Sequence, residues 1–351
     1  MQRLLDPDDM PPWVATLWPR GHRPSAVVAG VNDDDCAVMK WRGGWLVVTT
    51  DFINANPIAL ELGIGTLWDL GRLVVAANLS DLCGSGANPV ALLIGVTLPH
   101  GSARSEYQQV MRGVKFEADR HRVPVVGGDS KLGKSRALMG VALGSARSRS
   151  SLFLKNGARP GDLIWVSGYL GSVAAAVWGF GRNELNQTWK RWARTSLLNP
   201  PLPLALSRSI SRACLGHGGT DISDGFGADL TEMCRASNVG AVVNAGNIPV
   251  APPVRHAAQL ACVPPWRFAF ASGGDFQFLV TTSKTARGAI QRLGLHEVGE
   301  ITEKRSCMLR MPDGTVAPLP AKGHRDSRRL TFAEEIDALI KGEPSVKTGK
   351  R

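Results

Sequence analysis

Short acidic side chains placed at the ends of apolar runs are the most chemically loaded feature of this chain. Asp33, Asp34 and Asp35 stand together, Asp51 closes the β-branched run WLVVTT, Asp81 ends a helical pattern, and Asp129 follows Gly127 and Gly128. Further on, T-D-I-S-D-G at 220–225 adds Asp221, Ser223 and Asp224. Within the first 150 residues eleven of the fourteen acidic residues are Asp, the shorter carboxylate, whose oxygen is placed by the backbone with less freedom than that of Glu. That suits a small hard dication such as Mg²⁺, which takes oxygen ligands in near-octahedral geometry. Taken singly, each Asp is more often a turn former or helix cap than a ligand, and spacing alone does not make them converge. A second chemistry is spelled by Gly128-Asp-Ser-Lys-Leu-Gly133-Lys134-Ser135, a literal GxxxxGK[ST] match behind an apolar run. There, backbone N–H groups at a helix start would cradle phosphates, Lys134 would reach the outer oxygens and Ser135 the metal. Gly140 and Gly144 weaken the helix this loop requires.

Such residues need a scaffold, and hydrophobic periodicity predicts one. A strand over 45–50 delivers Asp51 to its rim. Leu67, Leu70, Val74 and Ala77 recur at helical intervals over 66–82, and Gly84, Ser85, Gly86 and Pro89 stop the pattern. A strand over 90–98, a helix over 106–122 and a strand over 123–126 ending at Gly127-Gly128-Asp129 make the first half α/β. The polar stretch 144–160 predicts a crossover. Beyond it come a strand, a Gly turn and a buried helix within 163–180, a Pro-rich loop at 199–203 and a helix over 204–215. A helix beginning near Asp224 and strands over 241–244 and 276–282 complete the pattern. Two domains, 1–150 and 151–325, with a basic extension over 326–351, account for the length.

The chain has 351 residues, 44% apolar and 20% charged, which is globular composition. Its formal charge of +11 sits mainly in the second half, where 25 Lys and Arg face 16 acidic residues against 16 and 14 before residue 150. No basic run gathers there, so a solvated surface is expected rather than a nucleic-acid groove. The six cysteines are scattered without a CxxC pair, which argues against zinc. The acidic start lacks a basic-then-apolar leader pattern, so a reducing cytoplasm is expected. The uncharged stretch 163–180 is interrupted by Gly168, Gly171 and Gly179 and predicts no membrane span.

In order, these motifs resemble the thiamine-monophosphate kinase family, of the superfamily that includes aminoimidazole ribonucleotide synthetase and selenophosphate synthetase. Its Gly-Asp-Asp-Cys-Ala resembles Asp33-Asp34-Asp35-Cys36-Ala37, its Ser-Thr-Asp resembles Thr49-Thr50-Asp51, and Asn-Leu-Ser-Asp stands at 78–81. Gly-Gly-Asp-Thr becomes Gly127-Gly128-Asp129-Ser130; Gly157-Ala158-Arg159-Pro160-Gly161-Asp162, Asp221-Ile222-Ser223-Asp224-Gly225 and Ser272-Gly273-Gly274 follow. The resemblance implies a two-domain α/β fold of the aminoimidazole ribonucleotide synthetase kind, with N-terminal sheets packed together in a homodimer and ATP and Mg²⁺ as cofactors. Metal would fall to Asp35, Thr50, Asp51, Asp81, Asp129, Asp221 and Asp224, with Asp129 and Asp224 catalytic. Nucleotide contacts would fall to Thr49, Thr50, Gly128, Ser223 and Lys155, and acceptor contacts to Tyr107 and Asp275. The γ-phosphoryl group of ATP would pass in line to thiamine monophosphate. On this reading Asp129, not the GKS match around it, is what counts.

The departures fall on the acceptor side. Ile58 stands where the kinases carry His, and Lys155 stands for Arg, keeping the charge but losing the bidentate fork. Asn199 to Leu204 lacks both arginines of Arg-Pro-x-Pro-Arg; Gly-Gly-Glu-Asp-Tyr-Glu is reduced to Gly273-Gly274-Asp275-Phe276-Gln277; and Gly323-His324-Arg325 stands where an aromatic-Asp-His ending belongs. Two alternatives therefore stay open: the same chemistry on another acceptor, or a non-catalytic nucleotide-binding dimer.

Overall fold

The structure is a computed structural model and describes residues 24–30, 33–53, 57–180, 182, 185–271, 273–321 and 332–342. Its first sheet joins β1 (Val27–Ala29), β2 (Ala37–Trp41), β3 (Gly44–Ile53), β4 (Asn88–Pro99), β5 (Val125–Gly133) and β6 (Ala137–Ala146) in the order β1-β2-β3-β6-β4-β5. Short α1 (Ile58–Glu61) and long α2 (Leu67–Gly84) and α3 (Arg104–His121) accompany it. Alternation along β6 buries Leu138, Gly140 and Ala142 on the helix face and half-exposes the residues between them, the signature of a sheet packed on one side.

The second sheet runs β13-β12-β9-β11-β7-β10-β8, from β7 (Leu163–Val166), β8 (Gly219–Ile222), β9 (Gly240–Asn244), β10 (Gln277–Thr282), β11 (His296–Thr302), β12 (Cys307–Arg310) and β13 (Val316–Pro318). β7 (LIWV), β8 and β10 (QFLVTT) are buried at every position, as strands covered on both faces must be. Ile164, Val166 and Leu279 join the core formed with α4 (Ser172–Phe180), α5 (Gln187–Leu198), α6 (Leu204–Arg212), α7 (Phe226–Ser237) and α8 (Pro252–Leu260), α6 excepted. Leu163, Trp165, Phe278 and Val280 instead join the core of the first sheet. After α9 (Arg287–Arg292), α10 (Phe332–Lys341) lies within the basic extension and buries Ile336 and Ile340, with Asp337 accepting from Trp178 Nε1 at 2.9 Å.

Two expectations change here. The strand expected to end at Gly127 continues to Gly133, because β4 lies alongside and pairs with it in parallel from Leu92–Val125 to Pro99–Gly133. The GxxxxGKS stretch is therefore an edge strand turning into β6, with no helix behind it to hold phosphate. The stretch 144–160 is less polar in effect than in composition: Leu152, Phe153 and Leu154 are fully buried where the two sheets meet. Among the described residues no helix is long and apolar enough to cross a membrane.

α2 lies between the sheets, and its residues from Leu70 to Gly84 are buried apart from Leu73. Thr66 and Asp69 form a capping box at its start. Buried Arg72 donates to Glu117 of α3 at 2.8 Å and lies 4.7 Å from the Trp68 ring. Glycine lets the two helices touch there: a Cβ on Gly113 would stand 1.9 Å from the Trp68 carbonyl oxygen.

Candidate active site

The helical repeat of α2 explains how two distant acidic motifs come together. At 100° per residue, 78, 81, 84 and 80 follow one another across an arc of about 160°, with 78 and 81 toward one end and 84 and 80 toward the other. On the first side Asn78 Oδ1 accepts the main-chain N–H of Asp51 at 3.1 Å, and Asp81 accepts the hydroxyl of Thr49. On the other, Ser80 Oγ donates to Asp221 Oδ2 at 2.6 Å, and a Cβ on Gly84 would stand 2.2 Å from the Asp221 nitrogen. Thus β3 and β8, one from each sheet, hang from the two ends of one arc of a buried helix.

Asp35 extends the seam. Thr220 Oγ1 donates to its Oδ2 at 2.9 Å, and the Lys155 ammonium donates to its Oδ1. The Lys155 main-chain N–H donates to Asp34 at 2.7 Å, while its carbonyl accepts from Ser237 Oγ of α7 at 2.6 Å. The link between the sheets is thereby tied to both.

The seam is under-neutralised. Burial, then the charges of Asp35 and Asp224, push Asp51 up to about 6. Burial and Asp35 push Asp221 up to about 7, with Asp51 adding to it. Asp81 is raised well above the ordinary carboxylate range by burial and by Asp221, Asp51 and Asp35. Burial and Asp35 raise Asp34 to about 7, and Lys155 is raised because these carboxylates outweigh the cost of burying it. Among the described residues no three His, Cys, Asp or Glu side chains form a ready-made metal cage. A fan of single carboxylates fits Mg²⁺, which keeps several waters and is typically held by one or two carboxylates together with phosphate oxygens.

Five of the expected metal-binding residues, Asp35, Asp51, Asp81, Asp221 and Asp224, share this seam, and Ser223 Oγ donates to Asp221 at 3.3 Å. Thr49 is buried, its hydroxyl engaged by Asp81 and by the Asp35 carbonyl; it orients Asp81 and is not free to touch a nucleotide. Thr50 points from the opposite face of β3 and donates to the Gly140 carbonyl at 2.8 Å. Asp129 lies in one cross-sheet row with Gly95, Met139 and Phe52, whereas Asp51 shares the next row with Gly140, Ile94 and Gly128. Asp129 therefore faces away from α2, three strand spacings or about 14 Å from β3. It is exposed and paired with Lys131 at 3.0 Å. Gly128 sits on the helix side of that edge strand, as does Ser130, whose hydroxyl lies 3.0 Å from that of Tyr107. Asp275 is not available to an acceptor: buried, it takes the N–H groups of Gly171 at 2.6 Å and Val173 at 3.1 Å, capping α4. Ser272 and the 323–325 motif lie outside the described residues.

Sequence reading passed over Gly84, Thr220 and Asp229. Gly84 reads in sequence only as a helix stop, and Thr220 precedes the acidic motif with nothing to mark it. Asp229, five residues after Asp224, carried the one usable signal, an acidic residue in the first turn of a helix.

Comparisons with known proteins agree with this architecture. The model of the AIR synthase related protein N-terminal domain matches residues 33–146, and that of the AIR synthase related protein C-terminal domain matches 159–311. The thiamine-monophosphate kinase of Pyrococcus horikoshii is 26% identical over 287 residues, 80% of this chain and 86% of its own. That of Methanospirillum hungatei is 26% identical over 291, covering 83% and 92%. Among solved structures, the thiamine-monophosphate kinase of Stenotrophomonas maltophilia superposes with a TM-score of 0.69 at 27% identity, covering 87% and 95%. AaThiL complexed with AMPPCP and TMP superposes at 0.77 with 22% identity over 93% and 99%, a likeness of fold.

Proposed function

Because the chain belongs to the AIR synthase related protein family through both its N-terminal and its C-terminal domain, we propose that it is a Mg²⁺-dependent phosphotransferase. It passes the γ-phosphoryl group of ATP to thiamine monophosphate, giving thiamine diphosphate. The observation that carries the reading is the seam on α2, where carboxylates from both sheets crowd around buried Asp81 and Asp221 and are short of positive charge. Relatives named thiamine-monophosphate kinase that align over most of their own length support the acceptor.

Asp35, Asp51, Asp81, Asp221 and Asp224 would hold Mg²⁺, which would neutralise charge on the phosphate oxygens of ATP. Around it the chain's own groups act by position. Thr49 and Ser80 fix Asp81 and Asp221 by donating to them, and Asn78 fixes the backbone at Asp51. Lys155 supplies a resident cation beside Asp35, and Ser223 stands at the mouth of the second motif for the nucleotide. No side chain need act as nucleophile, since the acceptor's own phosphate attacks.

Asp129 and Thr50 enter the same site from a second copy of the chain. They lie on the open face of the first sheet with Phe52, which is 66% exposed, and a homodimer packed through that face would bring the Asp129 of one protomer toward the cluster of the other. A different acceptor is the second reading. Ile58, in place of a ring that can hydrogen-bond, packs against the second core, and Asp275 is consumed by α4.

The deciding experiment is ATP turnover with Mg²⁺, with and without thiamine monophosphate, following ADP and thiamine diphosphate. Diphosphate formation is expected, and its loss in Asp51→Asn and in Asp129→Asn. Mixing the two inactive variants should restore activity, to about a quarter of the parent level if protomers exchange freely, because such mixed dimers hold one intact shared site. No diphosphate at any substrate concentration would refute the kinase reading; no recovery on mixing would refute the shared site.

Metal binding should also release protons. The folded, metal-free protein keeps protons on Asp34, Asp51 and Asp221 that the unfolded chain gives up near pH 4. The seam's contribution to stability therefore falls as pH rises from about 4 to about 7. Mg²⁺ needs the ionised carboxylates, so calorimetry near pH 6.5 in buffers of different ionisation enthalpy should show net proton release, and none would mean that the metal binds elsewhere.

A further inference from the structure

The second acidic motif is a turn without regular structure of its own, and its carboxylates are only as well placed as the turn is held. Gly225 has φ of 118°, and the turn leads directly into α7. On one flank Gly274 N–H donates to the Ser223 carbonyl at 2.8 Å, and Gly273 packs so closely that a Cβ would stand 1.7 Å from that oxygen. On the other flank is Asp229, on the first turn of α7 and 5% exposed. Its Oδ2 accepts the main-chain N–H of Asp224 at 3.2 Å and of Gly225 at 3.0 Å. Those N–H groups precede the helix and have no carbonyl four residues back within it to bond to.

We infer that Asp229 is the positioning residue of the second acidic motif: it does not ligate metal, but through its two hydrogen bonds it aims Asp224 and Asp221 into the seam. The inference deepens the nucleotide and Mg²⁺ reading and rests on it. A charged ligand is the competing role, since Asp229 lies close enough to Asp224, Asp221, Lys155 and Asp35 to feel their charges. The two roles separate cleanly because both bonds end on one oxygen. Asparagine can place its carbonyl oxygen there, keeping both bonds while discarding the charge; alanine discards both.

The test measures Mg²⁺-dependent ATP binding by calorimetry on the full chain, with steady-state rates and thermal melts alongside. Asp229→Asn is expected within about threefold of the parent in the Mg²⁺ concentration giving half-maximal ATP binding. Asp229→Ala is expected to need at least about tenfold more Mg²⁺, with kcat falling more than the KM for ATP rises. If Asp229→Ala fails to fold, Asp229→Asn decides alone, since a metal-ligating carboxylate would lose binding in that variant. Asparagine as damaging as alanine, or both without effect, overturns the positioning role. A parent protein that binds no ATP with Mg²⁺ overturns the functional reading and this inference with it.

Discussion

Asp81→Asn is expected to lower ATP-dependent turnover on the order of a thousandfold and, in Mg²⁺-free buffer, to raise the melting temperature by roughly 1–2 °C. The two effects share one cause. Asp81 lies at the centre of the seam, buried and pushed upward by Asp221, Asp51 and Asp35. Asparagine keeps an oxygen for the Thr49 hydroxyl, so the local geometry survives while an ionisable carboxyl leaves a desolvated cluster of like groups. Without metal that removes the cost of keeping it protonated or charged there, on the order of 1 kcal/mol. With metal and nucleotide it removes part of the field that holds the cation, and metal stabilisation of phosphoryl transfer is worth several kcal/mol, or about 1.4 per tenfold in rate. Activity within tenfold of the parent would remove Asp81 from the site. A lowered melting temperature in Mg²⁺-free buffer would mean that the carboxylate is held by more than the contacts described above.

Gly84→Ala tests the seam from the other side. A glycine inside an ordinary exposed helix costs about 1 kcal/mol relative to alanine, so the replacement would normally stabilise. Here the added Cβ would meet the Asp221 nitrogen at 2.2 Å and the Thr220 carbonyl carbon at 2.6 Å. Both are backbone atoms of a buried strand and cannot swing aside, so α2 and β8 must separate. Overpacking of this kind costs about 1–3 kcal/mol, which outweighs the propensity gain. A displacement near 1 Å between groups that must act together can cost about a hundredfold in rate. The expected result is a destabilised protein with turnover reduced about a hundredfold. Gly288→Ala, on α9 with only a flexible Arg292 side chain 3.6 Å away, is the control and should leave turnover unchanged and stability unchanged or raised by up to about 1 kcal/mol. Equal behaviour of the two variants would mean that the close approach of α2 to β8 does not set the site.

The sequence by itself determined the elements whose burial follows a regular period. The helix expected over 66–82 and the strands over 45–50 and 90–98 stand within a few residues of α2, β3 and β4, because each carries its core pattern locally. It also determined that acidic turns lie at the ends of such elements, and their order sufficed to suggest the family.

What it could not determine was which side chains meet. Thr49, Thr50 and Asp51 are consecutive, yet a strand turns successive residues to opposite faces, so Thr50 leaves the seam that its neighbours enter. Asp129 reads like Asp51 in sequence, but the parallel pairing of β4 with β5 carries it to the open face of the sheet, toward whatever packs there. Asp275 reads as a polar residue at a Gly turn, and only the approach of α4 shows that its oxygens are already taken. Asn78 and Ser80 look like two polar residues in one motif, but wrapping α2 between two sheets sends one to β3 and the other to β8. Periodicity fixes how a residue is oriented on its own element. Long-range packing alone decides what stands opposite, and the chemistry of this protein lies in those opposed pairs.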